Sequence, residues 1–179
     1  KTKGIGMLRK LLGLKPKASI YSQAMPQTEG ALELTYLGTA GFILKNKQRT
    51  VVLDPYLSRI GVTELFRPLH TNTALLKKYI PHADDVLIGH AHYDHILDAP
   101  DLCKQTGARL IGSKATCMVG RAAGLPESQL KETAGREDIA CGSWTVRGLP
   151  SIHGKAIFGR IPIPGDILSP PVWPPKLLD

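Results

Sequence analysis

Residues 85–95 read Asp85-Val86-Leu87-Ile88-Gly89-His90-Ala91-His92-Tyr93-Asp94-His95. The run Asp85-Val86-Leu87-Ile88 is short, apolar and fit for a buried parallel strand. It leads directly into three of the chain's six histidines. On an extended backbone the side chains of His90, His92 and Asp94 project to one side, because orientation alternates along a strand. A turn into a following helix then swings His95 toward a neighbouring point. Neutral imidazoles with a carboxylate are a donor set that suits zinc. The carboxyl end of a parallel strand is also where an open α/β sheet carries its site. The competing reading is histidines that cap a helix and bond locally. That is the ordinary fate of a lone His, and a compact cluster of three with an Asp argues against it.

Upstream, Leu32 to Leu37 alternates and is rich in strand formers, and Gly38, Ala40 and Gly41 break it. Phe42-Ile43-Leu44 resumes, Asn46-Lys47-Gln48 reads as a hairpin turn, and Thr50 to Leu53 forms a third strand ending at Asp54-Pro55. Tyr56 to Leu69 reads as loop, and Thr73 to Tyr79 as a helix stopping before Pro81. Downstream, a helix over Ala99–Gln105 is closed by Gly107, a strand follows at Arg109–Gly112, and a second helix runs from Lys114 to Ala123 and ends at Gly124. Strand, helix, strand, helix is the pattern of crossover units on a mostly parallel sheet. Ile139–Cys141 and Trp144–Leu149 return to strand alternation, ending at Pro150-Ser151-Ile152-His153. The last stretch, 161–179, holds six prolines and reads as an extended loop.

The 179 residues suit one domain, and 42% hydrophobic with 21% charged residues is a globular composition. No uninterrupted apolar run reaches the length of a membrane-spanning helix. The net charge of +8 is concentrated: Lys1, Lys3, Arg9, Lys10, Lys15 and Lys17 stand in the first 17 residues with no acid among them. The body is therefore nearly neutral, and no nucleic-acid partner is expected from it. Residues 1–17 interleave leucines with the basic residues, a pattern for contact with anionic lipid if helical; the plainer reading is a solvated or self-docked arm. The chain opens on Lys1, and Met7 is a candidate internal start. Cys103, Cys117 and Cys141 are odd in number and match no metal knuckle, which fits free thiols in a cytoplasmic protein, peripheral at the membrane if the arm engages it.

His90-Ala91-His92-Tyr93-Asp94-His95 resembles the HxHxDH signature of the metallo-β-lactamase superfamily. Leu34 to Phe42 and Val52 to Arg59 resemble the opening strands of its UlaG-like, phospholipase D-like branch, so that the likeness covers residues 31–157. The resemblance implies an α/β, layered αββα sandwich, of which this chain holds mainly the first half. It implies that His90, His92 and His153 hold one metal, and that Asp94 and His95 belong to a second. Asp54 then supports the ligands from behind, a role equally balanced against that of a turn-forming Asp before Pro55. For His153 the alternative is a loop histidine. His70 and His82 match no ligand position: His82 reads as solvent-facing, His70 as a loop residue or pocket wall.

The implied cofactor is Zn²⁺, one ion or two, with Mn²⁺ or Fe²⁺ as alternatives. The implied activity is hydrolysis of a small-molecule or lipid-like ester, phosphodiester or lactone by a metal-activated hydroxide, with Asp94 as the catalytic carboxylate. The organisation expected is a basic arm and lead-in over 1–30, a first-half domain over 31–157, and a proline-rich loop over 158–179 leading into a missing second half. No His follows His153, and prolines flank Asp166. Half a sandwich would expose an apolar sheet face, so additional polypeptide or a homo-oligomer is the expected partner. The alternative function is a truncated, non-catalytic module that acts as a scaffold or binds a partner.

Overall fold

A computed structural model describes residues 30–61, 64, 67–151, 167 and 169–176. The basic arm, His153, Asp166 and part of the proline-rich stretch fall outside the described residues.

The elements in chain order are β1 (Glu33–Gly38), β2 (Gly41–Lys45), β3 (Thr50–Leu53), α1 (Thr73–Tyr79), β4 (Asp85–Leu87), α2 (Tyr93–Ile96), α3 (Ala99–Thr106), β5 (Arg109–Gly112), α4 (Lys114–Ala122), a single 3₁₀ turn (Glu127–Gln129), β6 (Leu130–Glu132), β7 (Asp138–Cys141) and β8 (Trp144–Arg147). Strands β1 to β6 form one sheet in sequence order. The first three are antiparallel, and β3, β4, β5 and β6 run parallel. This is a mixed α/β architecture, with hairpins where turns are tight and helical crossovers where strands run parallel.

Local chemistry explains the punctuation. Asn46 Oδ1 accepts the amides of Gln48 and Arg49 at 2.9 and 2.8 Å, which fixes the β2–β3 turn. Asn72 caps α1 by accepting Leu75 N, and Ser113 caps α4 by accepting Thr116 N. Gly107 closes α3 in the left-handed conformation at φ 77°. The sequence did not announce α2, the 3₁₀ turn or β6. Leu130-Lys131-Glu132 offers one apolar residue in three and becomes a strand only by pairing with β5.

Register assigns the two faces of the sheet. Val52, Val86 and Leu110 are aligned neighbours, each 0% exposed, and pack with Leu76, Ala99, Leu102 and Val119 of the helices. On the opposite face the antiparallel β7–β8 hairpin lays Ile139, Cys141, Trp144 and Val146 over Ile111 and Leu87. That cover does not reach the far edge, where Leu34 and Tyr36 of β1 stand 60% and 42% exposed. Ile167 and Trp173 pack against the helix-side core, and Pro175 O accepts Leu69 N at 2.8 Å. All three cysteines are buried and free. Among the described residues no helix is long and apolar enough to cross a membrane.

Candidate metal centre

The cluster sits at the carboxyl ends of two adjacent parallel strands. Strand β3 ends at Leu53 and presents Asp54; β4 ends at Leu87 and runs through Ile88 and Gly89 into His90. Asp54 N still donates to Leu87 O at 3.0 Å, so the two strand ends are stitched at the point where the site begins.

The placement of the motif differs from the expectation of a single extended face. The strand stops at Leu87, His92 is the N-terminal flanking residue of α2, and Asp94 and His95 lie within that helix. Asp94 therefore does not share an alternating face with His90 and His92. The chain turns at His92 because Ile96 and His95 donate their amides back to its carbonyl. The turn gathers the rings all the same. The His90 centroid lies 4.4 Å from that of His92 and 4.0 Å from that of His95.

His95 is the best-supported member. Its Nδ1 lies 2.9 Å from Asp54 Oδ2, with both side chains about one-seventh exposed, at 14% and 13%. The distance is that of an ion pair, while the angle leaves Nδ1 without a well-aligned hydrogen bond. Burial opposes the imidazolium, but Asp54, helped by Asp94, outweighs it and holds the His95 ring above its ordinary value. Asp54 Oδ1 accepts Gly89 N at 2.7 Å, so one carboxylate grips both the start and the end of the motif. A Cβ at Gly89 would lie 3.1 Å from Asp54 Oδ2, which favours glycine where the carboxylate comes close.

Among the described residues no three His, Cys, Asp or Glu side chains converge on one point as a ready metal cage. His90 Nε2 and His92 Nδ1 are 3.0 Å apart, a hydrogen-bonding distance. Two imidazole nitrogens sharing one tetrahedral zinc stand about 3.3 Å apart. The donor set nevertheless fits a divalent ion: three imidazoles, a nearby carboxylate, and a histidine whose Nδ1 is backed by a second carboxylate, which orients the ring for ligation through Nε2. His82 is solvent-facing, as expected, with Asp84 at 3.3 Å. His70 lies on the wall of an open cleft of about 660 Å³ together with Ser58, Ile60, Arg67 and Asn72.

The sequence reading gave no role to Tyr56, Arg59, Tyr93 or Asp98, which stand around the centre. The edge of Tyr93 meets Tyr56 at 5.9 Å, and the Tyr56 hydroxyl accepts Ile60 N. Arg59 stacks over Tyr56 and reaches back to Thr39 Oγ1 and Leu37 O. The Asp98 carboxylate bonds across the fold to Leu57 and Ser58. Burial pushes the Asp98 carboxyl above its ordinary value, and those bonds oppose the shift.

Comparison with known proteins places the chain. A family model described as "Beta-lactamase superfamily domain" matches residues 49–169. A UPF0173 metal-dependent hydrolase of Thermodesulfovibrio yellowstonii is 33% identical over 138 residues, covering 72% of this chain and 48% of that protein. One from Anaeromyxobacter sp. (strain K) is 34% identical over 130 residues, covering 70% and 44%. The chain thus spans about half the length of the curated relatives it matches. The solved structure of Igni18, a metallo hydrolase from Ignicoccus hospitalis, aligns with a TM-score of 0.45 at 25% identity, over 61% of this chain and 42% of that one.

Proposed function

The chain belongs to the β-lactamase superfamily domain family, and from that premise we infer that it carries part of the active centre of a metal-dependent hydrolase. The observation that bears most weight is the gathering of the His90, His92 and His95 rings at the ends of β3 and β4, with Asp54 behind His95. We read His90 and His92 as ligands of one metal, with His153 as their third, and Asp94 and His95 as ligands of a second. Zinc is our choice of ion, on the ground of the imidazole-rich donor set. A bound divalent ion supplies Lewis-acid polarisation and lowers the pKa of water from 15.7 to about 7.

The residues have separable tasks in this reading. Asp54 holds the His95 ring by Nδ1 and leaves Nε2 to face the centre. Asp94, in the first turn of α2, offers a carboxylate that accepts the proton of the attacking water and orients it toward the substrate carbonyl or phosphoryl group. The substrate class we propose is an ester, a phosphodiester or a lactone. The domain we propose spans 31–157 of a cytoplasmic protein, with the 1–17 arm solvated or docked on its own domain.

One observation favours a second reading, a non-catalytic module: His90 Nε2 and His92 Nδ1 lie at hydrogen-bonding distance, closer than a shared ion would hold them. Zinc titration of the purified chain against a chromophoric chelator separates the two. The hydrolase reading expects tight binding of at least one ion, lost in His90→Ala and His92→Ala, and turnover of an aryl ester, a bis-aryl phosphodiester or a lactone that Asp94→Ala abolishes. Absence of zinc binding, or turnover unchanged in Asp94→Ala, would refute it.

A further inference from the structure

We propose that Asp98 is a positioning residue for this centre: it anchors the segment that carries Asp54, and through Asp54 it sets the His95 ring and the Gly89 amide. Its functional consequence rests on the metal-centre reading above.

Asp98 stands at the start of α3 with helical backbone angles, φ -83° and ψ -17°, and its carboxylate makes no bond to its own helix. The residue is 0% exposed. Oδ2 accepts Leu57 N at 2.6 Å and Ser58 N at 2.8 Å, and Oδ1 accepts the Ser58 hydroxyl. Ser58 Oγ accepts Asn72 N at 2.7 Å in turn, so the hydroxyl is fixed from both sides. Burying a carboxylate is costly unless donors surround it, and here every donor comes from a segment some forty residues away in sequence. The carboxylate at the helix start is thus spent entirely on that segment.

The segment needs holding. Asp54 and Arg59 at its two ends are non-glycine residues in the left-handed region, at φ 40° and 49°. Such conformations persist only where surrounding contacts over-determine them. Residues 54–58 and 89–98 are then joined by two carboxylates of opposite origin. Asp54 reaches from the loop to Gly89 N and His95 Nδ1, and Asp98 reaches from the helix side back to Leu57 and Ser58. Only two residues, Ile96 and Leu97, separate Asp98 from His95. The two staples close a small ring, so releasing one loosens the other. A purely structural aspartate elsewhere in the core would lack this coupling.

The test uses the full chain and the variants Asp98→Ala, Ser58→Ala, Asp54→Ala and Asp98→Ala/Asp54→Ala. Amide hydrogen exchange by NMR reads the Gly89 bond directly, with the Val52 and Val86 amides of the sheet core reporting global opening. Asp98→Ala should speed exchange at Gly89 about tenfold beyond any change at Val86, because the opening is local. Ser58→Ala, which keeps both backbone donors, should do the same to a smaller extent and decides the matter if Asp98→Ala does not fold. Zinc affinity should fall about tenfold in Asp98→Ala, the usual loss for a partner of a ligand. The double variant should bind no more weakly than Asp54→Ala alone. Unchanged Gly89 exchange, acceleration at Gly89 only in step with Val86, or additive affinity losses would each overturn the proposal. A wild-type chain that binds no zinc would instead refute the metal-centre reading, and Gly89 exchange would still judge the staple.

Discussion

Gly38 closes β1 at φ 91°, and a Cβ there would collide with the Arg59 guanidinium that binds Leu37 O and Thr39 Oγ1. Gly107, at φ 77°, has open space where its Cβ would go. The two glycines therefore separate backbone cost from contact cost. Gly107→Ala should lose about 1 kcal/mol, the low end of the penalty for a left-handed L-residue. Gly38→Ala should lose about 2–3 kcal/mol, because displacing Arg59 adds the loss of its hydrogen bonds to the same backbone penalty. Urea unfolding of both variants measures the difference. Equal losses would show that Arg59 contributes nothing to holding the 54–59 segment. The same scale shows how far sequence reading reaches. Asp54 before Pro55 reads equally as a turn residue or as a support for a ligand, and its contacts with His95 and Gly89 are invisible in the sequence.

Between elements, the fully buried carboxylate of Asp85 fixes three pieces of the fold at the amino ends of the parallel strands. Arg49 Nε and Nη2 bind its Oδ2 at 2.7 and 2.6 Å, Arg109 Nε binds Oδ1 at 2.7 Å, and Arg109 Nη2 continues to Ala140 O of the hairpin. The carboxylate raises the Arg109 guanidinium above its already high value. Asp85→Ala leaves two guanidiniums facing each other with no counter-charge. Losing one side of a buried pair costs 3–5 kcal/mol, and the partial exposure of both arginines argues for about 3 kcal/mol. Thermal melts should show the loss, with the β7–β8 amides the first to gain exchange. A variant as stable as the parent would mean that the hairpin is held by its apolar contacts without help from Asp85. The helices and most strands were legible because their caps and periodicity are local, as at Asn72, Ser113 and Gly107. The strand β6 was not, since its stability comes from β5.

At the scale of the molecule, the described residues close the helix-side face of the sheet and cover the hairpin-side face only in part. Leu34 and Tyr36 remain exposed beyond the reach of β7–β8, and Leu32 beside them is 56% exposed. Contiguous apolar surface of this kind favours association. The 179-residue chain should self-associate at micromolar concentration, and Leu34→Lys/Tyr36→Lys should shift it toward monomer in light scattering. The melting temperature should fall only modestly: Leu34 is largely exposed, and the loss is confined to the packing of Tyr36 on Phe42 and its hydrogen bond to Thr39 O. A monodisperse parent would remove the basis for this expectation.

The sequence by itself determined the order of most strands and helices, the histidine motif and its place at the end of a buried strand. Those signals are carried by residues close together in the chain: apolar periodicity, caps, and ligand-type side chains within six positions. Only the tertiary structure decided that Asp94 leaves the strand face for α2, that Asp54 meets His95, and that the Asp98 carboxylate reaches Leu57 and Ser58. These are contacts across 40 residues of chain or more, or turns set by packing. A carboxylate reads the same in sequence whether it caps its own helix or crosses the fold; its burial and its donors exist only once the strands have aligned.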